Sequence, residues 1–342
     1  MSEYRIIIAG QLEFGSERVF NQVLEQYTHR MEHYYKNDIL LKPEDFFKPE
    51  DLTLDVPRTV VVGSERDWLN TLNLLERVVS FSMAGSLNLW RLDAGVILDH
   101  HVLEPHSDRT TVQLFNRGRQ LVNQEDKEQE ALDMMTKVVG RFARHAQAYE
   151  RRGFVNLRLK NLDDAIYDYD KSLKINPSMP ESHYGRGICY ARKQEWEKAA
   201  FDFEAVTRNS IPHQAIYWMA QVALGDASIE LGRPADAMRV FNMFSKRKQR
   251  IASLDRYDRR VNTLLGQLRV KAGRFGDAVI AFERALDATA DAKAPSEAKV
   301  RYEMGLAFQA AGKMDKATKQ FKLAADEVPA AAEALKAAPV GA

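Results

Sequence analysis

The sequence predicts an α+β domain over residues 1–110, followed by an all-helical array of repeated hairpins. Three observations support this division. Apolar β-branched segments alternate with amphipathic stretches up to residue 110, and a glycine–alanine–aromatic pattern recurs five times after residue 146. The charge also changes sign, since residues 1–110 carry 11 basic and 18 acidic side chains and the remainder carries 38 and 30. The two parts therefore differ in composition, and could dock on each other or serve different partners.

The first strand and helix lie in the segment RIIIAGQLEFGSERVF, residues 5–20. Its glycines, Gly10 and Gly15, have the spacing of a phosphate-binding loop. Such a loop needs a lysine followed by serine or threonine, whereas Ser16 and Glu17 follow here. Gly-Ser-Glu-Arg recurs at 63–66, before a second amphipathic stretch. We therefore predict that the serine and glutamate cap helices at both places and bind no nucleotide.

The order of elements in this domain is predicted to be β-α-β-β-α-β. The strands after the two helices are expected at 38–42 (DILLK) and 87–92 (LNLWRL), and one more strand at 96–104. A duplicated unit of this order most resembles a ferredoxin-like α/β sandwich. Residues 40–58 are predicted to form a long acidic loop, in which Phe46 and Phe47 pack over the sheet or, less favourably, form an exposed docking site.

The second half contains five repeated units between about 146 and 331. Each has a glycine, an alanine about twelve residues later and an aromatic residue four positions after the alanine. Small residues allow two helices to cross closely, and the aromatic one turn later fills the gap. Steps of 34, 38, 41 and 39 residues separate the alanines Ala165, Ala199, Ala237, Ala278 and Ala317.

These units resemble the tetratricopeptide repeat, a helical hairpin of 34 residues. The resemblance implies a stack of helix pairs whose first helices line a concave groove. Ala131 and Met135 fit the same pattern and predict a degenerate hairpin at 112–145. We expect a capping helix and tail at 332–342, with the helix beginning near Pro329.

The family resemblance implies that binding occurs at outward-facing positions of the first helices. These positions lean basic, which suits a partner peptide or helix with acidic residues. The predicted groove residues are Arg151, Arg158, Tyr184, Arg192, Asp226, Glu230, Arg260, Gln267, Lys271 and Tyr302. Chaperone-binding members hold a C-terminal carboxylate with lysine and asparagine, but Glu150, Phe154 and Gly185 occupy the equivalent positions. Capture of a chaperone tail is therefore not expected.

Other candidate chemistry is sparse. Asp99, His100, His101, Glu104 and His106 are metal-ligating residue types, but adjacent strand residues point to opposite faces, so a solvated strand end is favoured over a metal site. The basic run at 244–260 could contact nucleic acid or an acidic protein, although a solvated helix extension is more usual. Cys189, the single cysteine, excludes an internal disulfide and is expected to pack inside a first helix.

The sequence therefore predicts a cytoplasmic, non-enzymatic scaffold that binds another protein through its repeats. No cofactor, metal or membrane is expected, and nucleic acid is disfavoured. The N-terminal domain is expected to bind a second partner, dimerise or dock. The alternative is a ligand-sensing regulatory protein whose α/β domain binds a small molecule.

Overall fold

A computed structural model describes residues 3–106, 109–289 and 294–337. The chain divides into two compact units. The first reaches to Lys193 and includes Arg208–Ser210, while the second is made of Gln194–Thr207 and the chain from Ile211 onward. The first unit contains a sheet domain and the helices that follow it, and the regular elements in the described residues of the second are all helical. The predicted α+β and all-helical parts are both present.

The sheet has five strands in the spatial order β2-β3-β1-β4-β5, and all neighbours are antiparallel. Two long helices, α1 and α3, follow β1 and β3, and a π-helical turn at Arg30–Tyr34 extends α1. The elements are β1 (Glu3–Glu13), α1 (Glu17–His29), α2 (Pro43–Phe46), β2 (Phe47–Lys48), β3 (Thr53–Ser64), α3 (Glu65–Val79), β4 (Ala84–Asp93) and β5 (Val96–Leu103).

The prediction of a strand at residues 38–42 is wrong. Lys36 and Asn37 have positive φ angles of 52° and 66°, which turn the chain after the π-helical turn. The residues that follow are held by side chains, since the Thr71 hydroxyl accepts from the Leu40 amide at 2.9 Å and the Tyr27 hydroxyl donates to the Leu41 carbonyl at 2.7 Å. The short strand β2 pairs with β3 instead.

The segment predicted as a long loop at 40–58 is also more ordered than expected, because it contains α2, β2 and the start of β3. Phe47 is buried and packs edge-to-face on Phe20 and Tyr27, with ring centroids 5.8 and 5.2 Å apart. Phe46 is partly buried against the same core. The packing interpretation is therefore confirmed, and the exposed docking site is not.

The glycines that suggested a phosphate loop have structural roles. Gly10 lies inside β1 at a shift of register with β3, with φ 136°, and a Cβ there would meet the Ser86 carbonyl oxygen at 2.0 Å. Ser16 accepts from the Val19 amide, and Ser64 forms a capping box with Asp67. The predicted helix caps are thus present, and residues 11–13, between the glycines, belong to a strand.

Within each unit, consecutive helices after the sheet pack in pairs. Those pairs begin with α4 and α5, which occupy the hairpin predicted at 112–145. The helices are α4 (Thr110–Val122), α5 (Glu128–Arg141), α6 (Ala146–Arg158), α7 (Leu162–Ile175), α8 (Pro180–Arg192), α9 (Trp196–Asn209), α10 (Ala215–Glu230), α11 (Pro234–Ser245), α12 (Asp255–Lys271), α13 (Phe275–Asp287), α14 (Glu297–Ala310), α15 (Met314–Ala324) and α16 (Pro329–Ala337).

In three hairpins of the second unit, the repeat pattern is explained by a contact between the glycine and the aromatic residue. A Cβ on Gly225, Gly266 or Gly305 would lie 2.3 to 2.5 Å from the ring of Phe241, Phe282 or Phe321. Such a separation is a steric clash, so the ring occupies the space that a side chain would need. The last hairpin packs on α16, where Ala331 is buried. The final residues of the predicted tail, 338–342, lie outside the described part of the chain.

Within the first unit, the sheet domain contacts the helices that follow. Gln11 donates to the Ile175 carbonyl at 3.1 Å, and Arg58 donates to the Ser210 carbonyl at 2.8 Å. Arg144 lies 3.4 Å from Asp51, which joins a basic residue of the helical part to an acidic residue of the sheet domain. These contacts attach the domain to the first repeats.

Candidate peptide-binding surface

The predicted groove residues all lie on first helices of the hairpins. Arg151 and Arg158 are on α6, Tyr184 and Arg192 on α8, Asp226 and Glu230 on α10, and Tyr302 on α14; α12 carries the other three, Arg260, Gln267 and Lys271. The residues from Arg151 to Arg192 lie in the first unit, and those from Asp226 onward lie in the second.

Arg158 and Arg192 are engaged within the array. Arg158 donates to the Val122 carbonyl at 2.8 Å and pairs with Glu128 at 2.6 Å. Arg192 donates to the Leu157 carbonyl at 3.1 Å. Both arginines thus bind a carbonyl near the C-terminus of the preceding first helix, where backbone acceptors are left over and the helix dipole favours a cation. Both guanidinium groups therefore already have partners within the array, and a ligand would have to compete with these partners or share the arginines with them.

Replacing Arg158 with methionine should lower the free energy of unfolding by about 1–2 kcal/mol, because a carbonyl and a carboxylate lose their donor. Urea denaturation of the full chain measures the change. Arg117→Met is the matched control, since Arg117 is exposed on α4 and should change stability by less than about 0.5 kcal/mol. Equal effects of the two substitutions would contradict the structural role of Arg158.

Arg151 is held beside a buried acid. Its Nε lies 3.1 Å from Glu150, whose side chain is buried, and burial raises the pKa of the Glu150 carboxyl to about 7. The Tyr169 hydroxyl is also buried near Glu150 and has no hydrogen-bond partner among the described residues. Arg151 therefore partly offsets a buried charge, in addition to any contact with a ligand.

In the second unit the predicted residues form a strip along three first helices. Asp226 on α10 pairs with Arg260 on α12 at 2.6 Å, and Gln267 on α12 donates to Glu303 on α14 at 2.9 Å. The partners in each pair lie on the first helices of successive hairpins, 34 and 36 residues apart in the sequence. We call these four residues the first-helix strip. Glu303 was missed from the sequence, because its importance follows only from its contact with Gln267.

Three further predicted residues flank this strip. Lys271 and Glu230 are exposed at the ends of α12 and α10. The ring of Tyr302 packs on Phe321 at 5.9 Å, so the tyrosine contributes to the core of its hairpin. In the first unit, Tyr184 is partly buried on α8.

Side chains of the acid–histidine cluster at 99–106 are engaged within the first unit. Asp99 binds Arg91 at 2.5 Å, Glu104 binds Arg119 at 2.7 Å, and the His100 ring stacks on Trp90 at 5.0 Å. In the parts of the chain that the structure describes, no group of three or more potential ligands could hold a metal ion.

The α/β domain offers little room for a small molecule at the two cavities found beside it. One is lined by Val23, Tyr27 and Phe81 and the other by Ala84, Phe115 and His145, and each has a volume of about 10 Å³. A volume of this size accommodates about one water molecule. Neither cavity therefore favours the alternative of a metabolite sensor.

Comparison with known proteins agrees with this geometry. Models of the tetratricopeptide repeat match residues 146–179 and 263–332. The chain therefore contains tetratricopeptide repeats over these residues. Human DnaJ homolog subfamily C member 7 is 33% identical over 82 residues, which are 23% of this chain and 17% of that protein. The chain therefore matches only about a sixth of that relative.

Solved structures share the fold of the helical part at low identity. YrrB, described as a TPR protein with an unusual peptide-binding site, is 20% identical with a TM-score of 0.50, over 59% of this chain and 97% of YrrB. PilF of Pseudomonas aeruginosa is 15% identical with a TM-score of 0.50, over 65% of this chain and 93% of PilF. No helix in the described ranges combines the length and apolar character needed to cross a bilayer.

Proposed function

We propose that this tetratricopeptide repeat protein is a non-enzymatic adaptor that binds a partner peptide or helix bearing acidic residues. The proposal is supported mainly by the first-helix strip, in which Arg260 and Gln267 present donors beside their acidic partners on successive hairpins. Donors and acceptors on successive hairpins suit an extended or helical segment. Along its length, such a segment can replace the internal acidic partners of these donors. The peptide site attributed to YrrB supports the same type of function.

The N-terminal domain has a second role in this proposal. Its contacts with the first repeats through Gln11, Arg58 and Asp51 favour docking onto the array over a free module. The alternatives are that this domain binds a second protein partner or that it dimerises the chain. Light scattering of the full chain distinguishes dimerisation from docking.

Lys271→Glu should reduce recovery of the partner in affinity purification from the source cell. Lys271 is exposed beside the strip, so charge reversal repels an acidic segment without removing a structural contact. We expect a loss of about tenfold, or roughly 1.4 kcal/mol, in quantitative mass spectrometry.

Lys319→Glu is the matched control, because Lys319 is an exposed lysine on the second helix α15. Its recovery of partners should equal that of the unmodified chain. Equal depletion by both variants would indicate an effect of total charge, and undiminished recovery with Lys271→Glu would argue against this surface.

A further inference from the structure

The basic run at 244–260 borders a cavity of about 500 Å³ in the second unit. The run is not one extended helix, since α11 ends at Ser245 and α12 begins at Asp255, with a 3₁₀ turn at Ala252–Leu254 between them. The linker forms one wall, and the end of α13 with the two residues after it forms another. The volume lies in the range of ligand sites in proteins.

Arg247 fixes the shape of the linker. Its side chain is 4% exposed, forms a bidentate pair with Asp258 at 2.6 and 2.9 Å and lies 4.1 Å from the centre of the Phe244 ring. Its Nε is buried without a hydrogen-bond partner in the described structure. Asp258 is thus committed to neutralising Arg247, and the neighbouring basic side chains are left to face the cavity.

Three cations of the cavity wall remain available. Arg250 is 84% exposed and lies 3.8 Å from Asp258, which already has a closer partner. Arg284 donates only to the Ser245 hydroxyl, at 3.2 Å, and neither it nor Lys246 forms an ion pair within the described ranges. These cations converge from two successive hairpins, so a ligand that bridges them would be held by both.

We propose that this cavity binds the carboxylates of an acidic peptide segment of a partner protein. The proposal rests on the proposed adaptor function and places an acidic contact outside the first-helix strip. Lys246, Arg250 and Arg284 would pair with the carboxylates. Asp255 and Asp287 also line the cavity, and the Asp255 Oδ1, which lies 3.7 Å from the Arg247 guanidinium, accepts no hydrogen bond. A peptide can satisfy both features, because it supplies amide donors together with carboxylates, whereas phosphate supplies mainly acceptors.

The test uses a fluorescein-labelled hexaglutamate peptide and the full chain at low salt, with binding followed by fluorescence anisotropy. Arg250→Glu and Arg284→Glu should each raise the Kd at least about tenfold, because each reverses a charge at the cavity. Lys248→Glu is the matched control. Lys248 is exposed on the same linker but does not line the cavity, and its reversal should change the Kd by less than about twofold.

Several results would overturn the proposal. These are the absence of binding, equal weakening by Lys248→Glu, or displacement of the peptide by millimolar inorganic phosphate at constant ionic strength. If Lys271→Glu weakens binding and the cavity variants do not, hexaglutamate binds the strip, so this proposal fails and the adaptor function stands. Arg250→Gln should leave the fold intact, because Arg250 is largely exposed. This variant loses the positive charge without reversing it, so it should weaken binding less than Arg250→Glu.

Discussion

Gly266→Leu should unfold the hairpin of α12 and α13 at temperatures where the unmodified chain is folded. A Cβ on Gly266 would lie 2.5 Å from Cε1 and 2.6 Å from Cζ of Phe282, whose ring is fully buried. The ring cannot retreat, because it fills the crossing between the two helices. We expect a loss of about 3 kcal/mol in the free energy of unfolding, the upper part of the range for overpacked cores. Leucine has the higher helix propensity, so a loss of stability must come from the clash.

Gly276→Leu provides the control for this prediction. Gly276 is exposed in the first turn of α13, and a Cβ there would meet no atom within 4 Å. The same substitution should therefore raise stability slightly, by up to about 1 kcal/mol. Hydrogen exchange of the α12 and α13 amides in both variants locates the effect, because each repeat contacts mainly its neighbours and can unfold locally. Protection of these amides in Gly266→Leu would contradict the packing account.

The helical half could be predicted from the sequence because its determinants are local and recur. Gly225 and Phe241 repeat the relation of Gly266 and Phe282, and each pair lies in one hairpin, so a fixed spacing in the sequence corresponds to a fixed contact. The serine caps at Ser16 and Ser64 are also local, since each bonds an amide three residues later. In patterns of this type, both interacting residues lie in the same short segment, so the contact can be predicted from their spacing.

The features that the sequence did not show are contacts between distant residues. The strand predicted at 38–42 has suitable apolar residues, but Thr71 and Tyr27 hold this segment through side chains, and neither contact is visible as periodicity. Arg158 and Arg192 lie at outward positions of their helices, yet both reach the preceding first helix. A spacing rule shows which face a residue occupies and does not show whether a neighbouring repeat already uses its side chain.

The buried side chain of Glu13 should make the stability of the chain depend on pH. Glu13 ends β1 and is buried, and neither of its carboxylate oxygens has a hydrogen-bond partner among the described residues. Burial raises the pKa of the Glu13 carboxyl from 4.5 to about 8; nearby Arg144 opposes this shift, and Asp55 adds to it. The folded chain therefore keeps a proton on Glu13 that the unfolded chain loses above about pH 4.5.

The sign of the effect follows from this difference in bound protons. Between about pH 4.5 and 8 the folded state binds more protons at Glu13 than the unfolded state, so the free energy of unfolding falls as pH rises. The slope approaches about 1.4 kcal/mol per pH unit. Glu150 contributes in the same direction up to about pH 7. His145, whose pKa burial lowers to about 3, contributes in the opposite direction between about pH 3 and 6.5.

Glu13→Gln isolates the contribution of Glu13, since the other groups are common to both proteins. The variant should gain stability relative to the unmodified chain as pH rises, by about 3 kcal/mol or more between pH 5 and 8. Urea denaturation at intervals across this range measures the difference. Glu25→Gln, on the exposed side of α1, should give a difference that is independent of pH. A constant difference for Glu13→Gln as well would mean that Glu13 is ionised in the folded chain, and hence that water or Arg144 reaches its carboxylate.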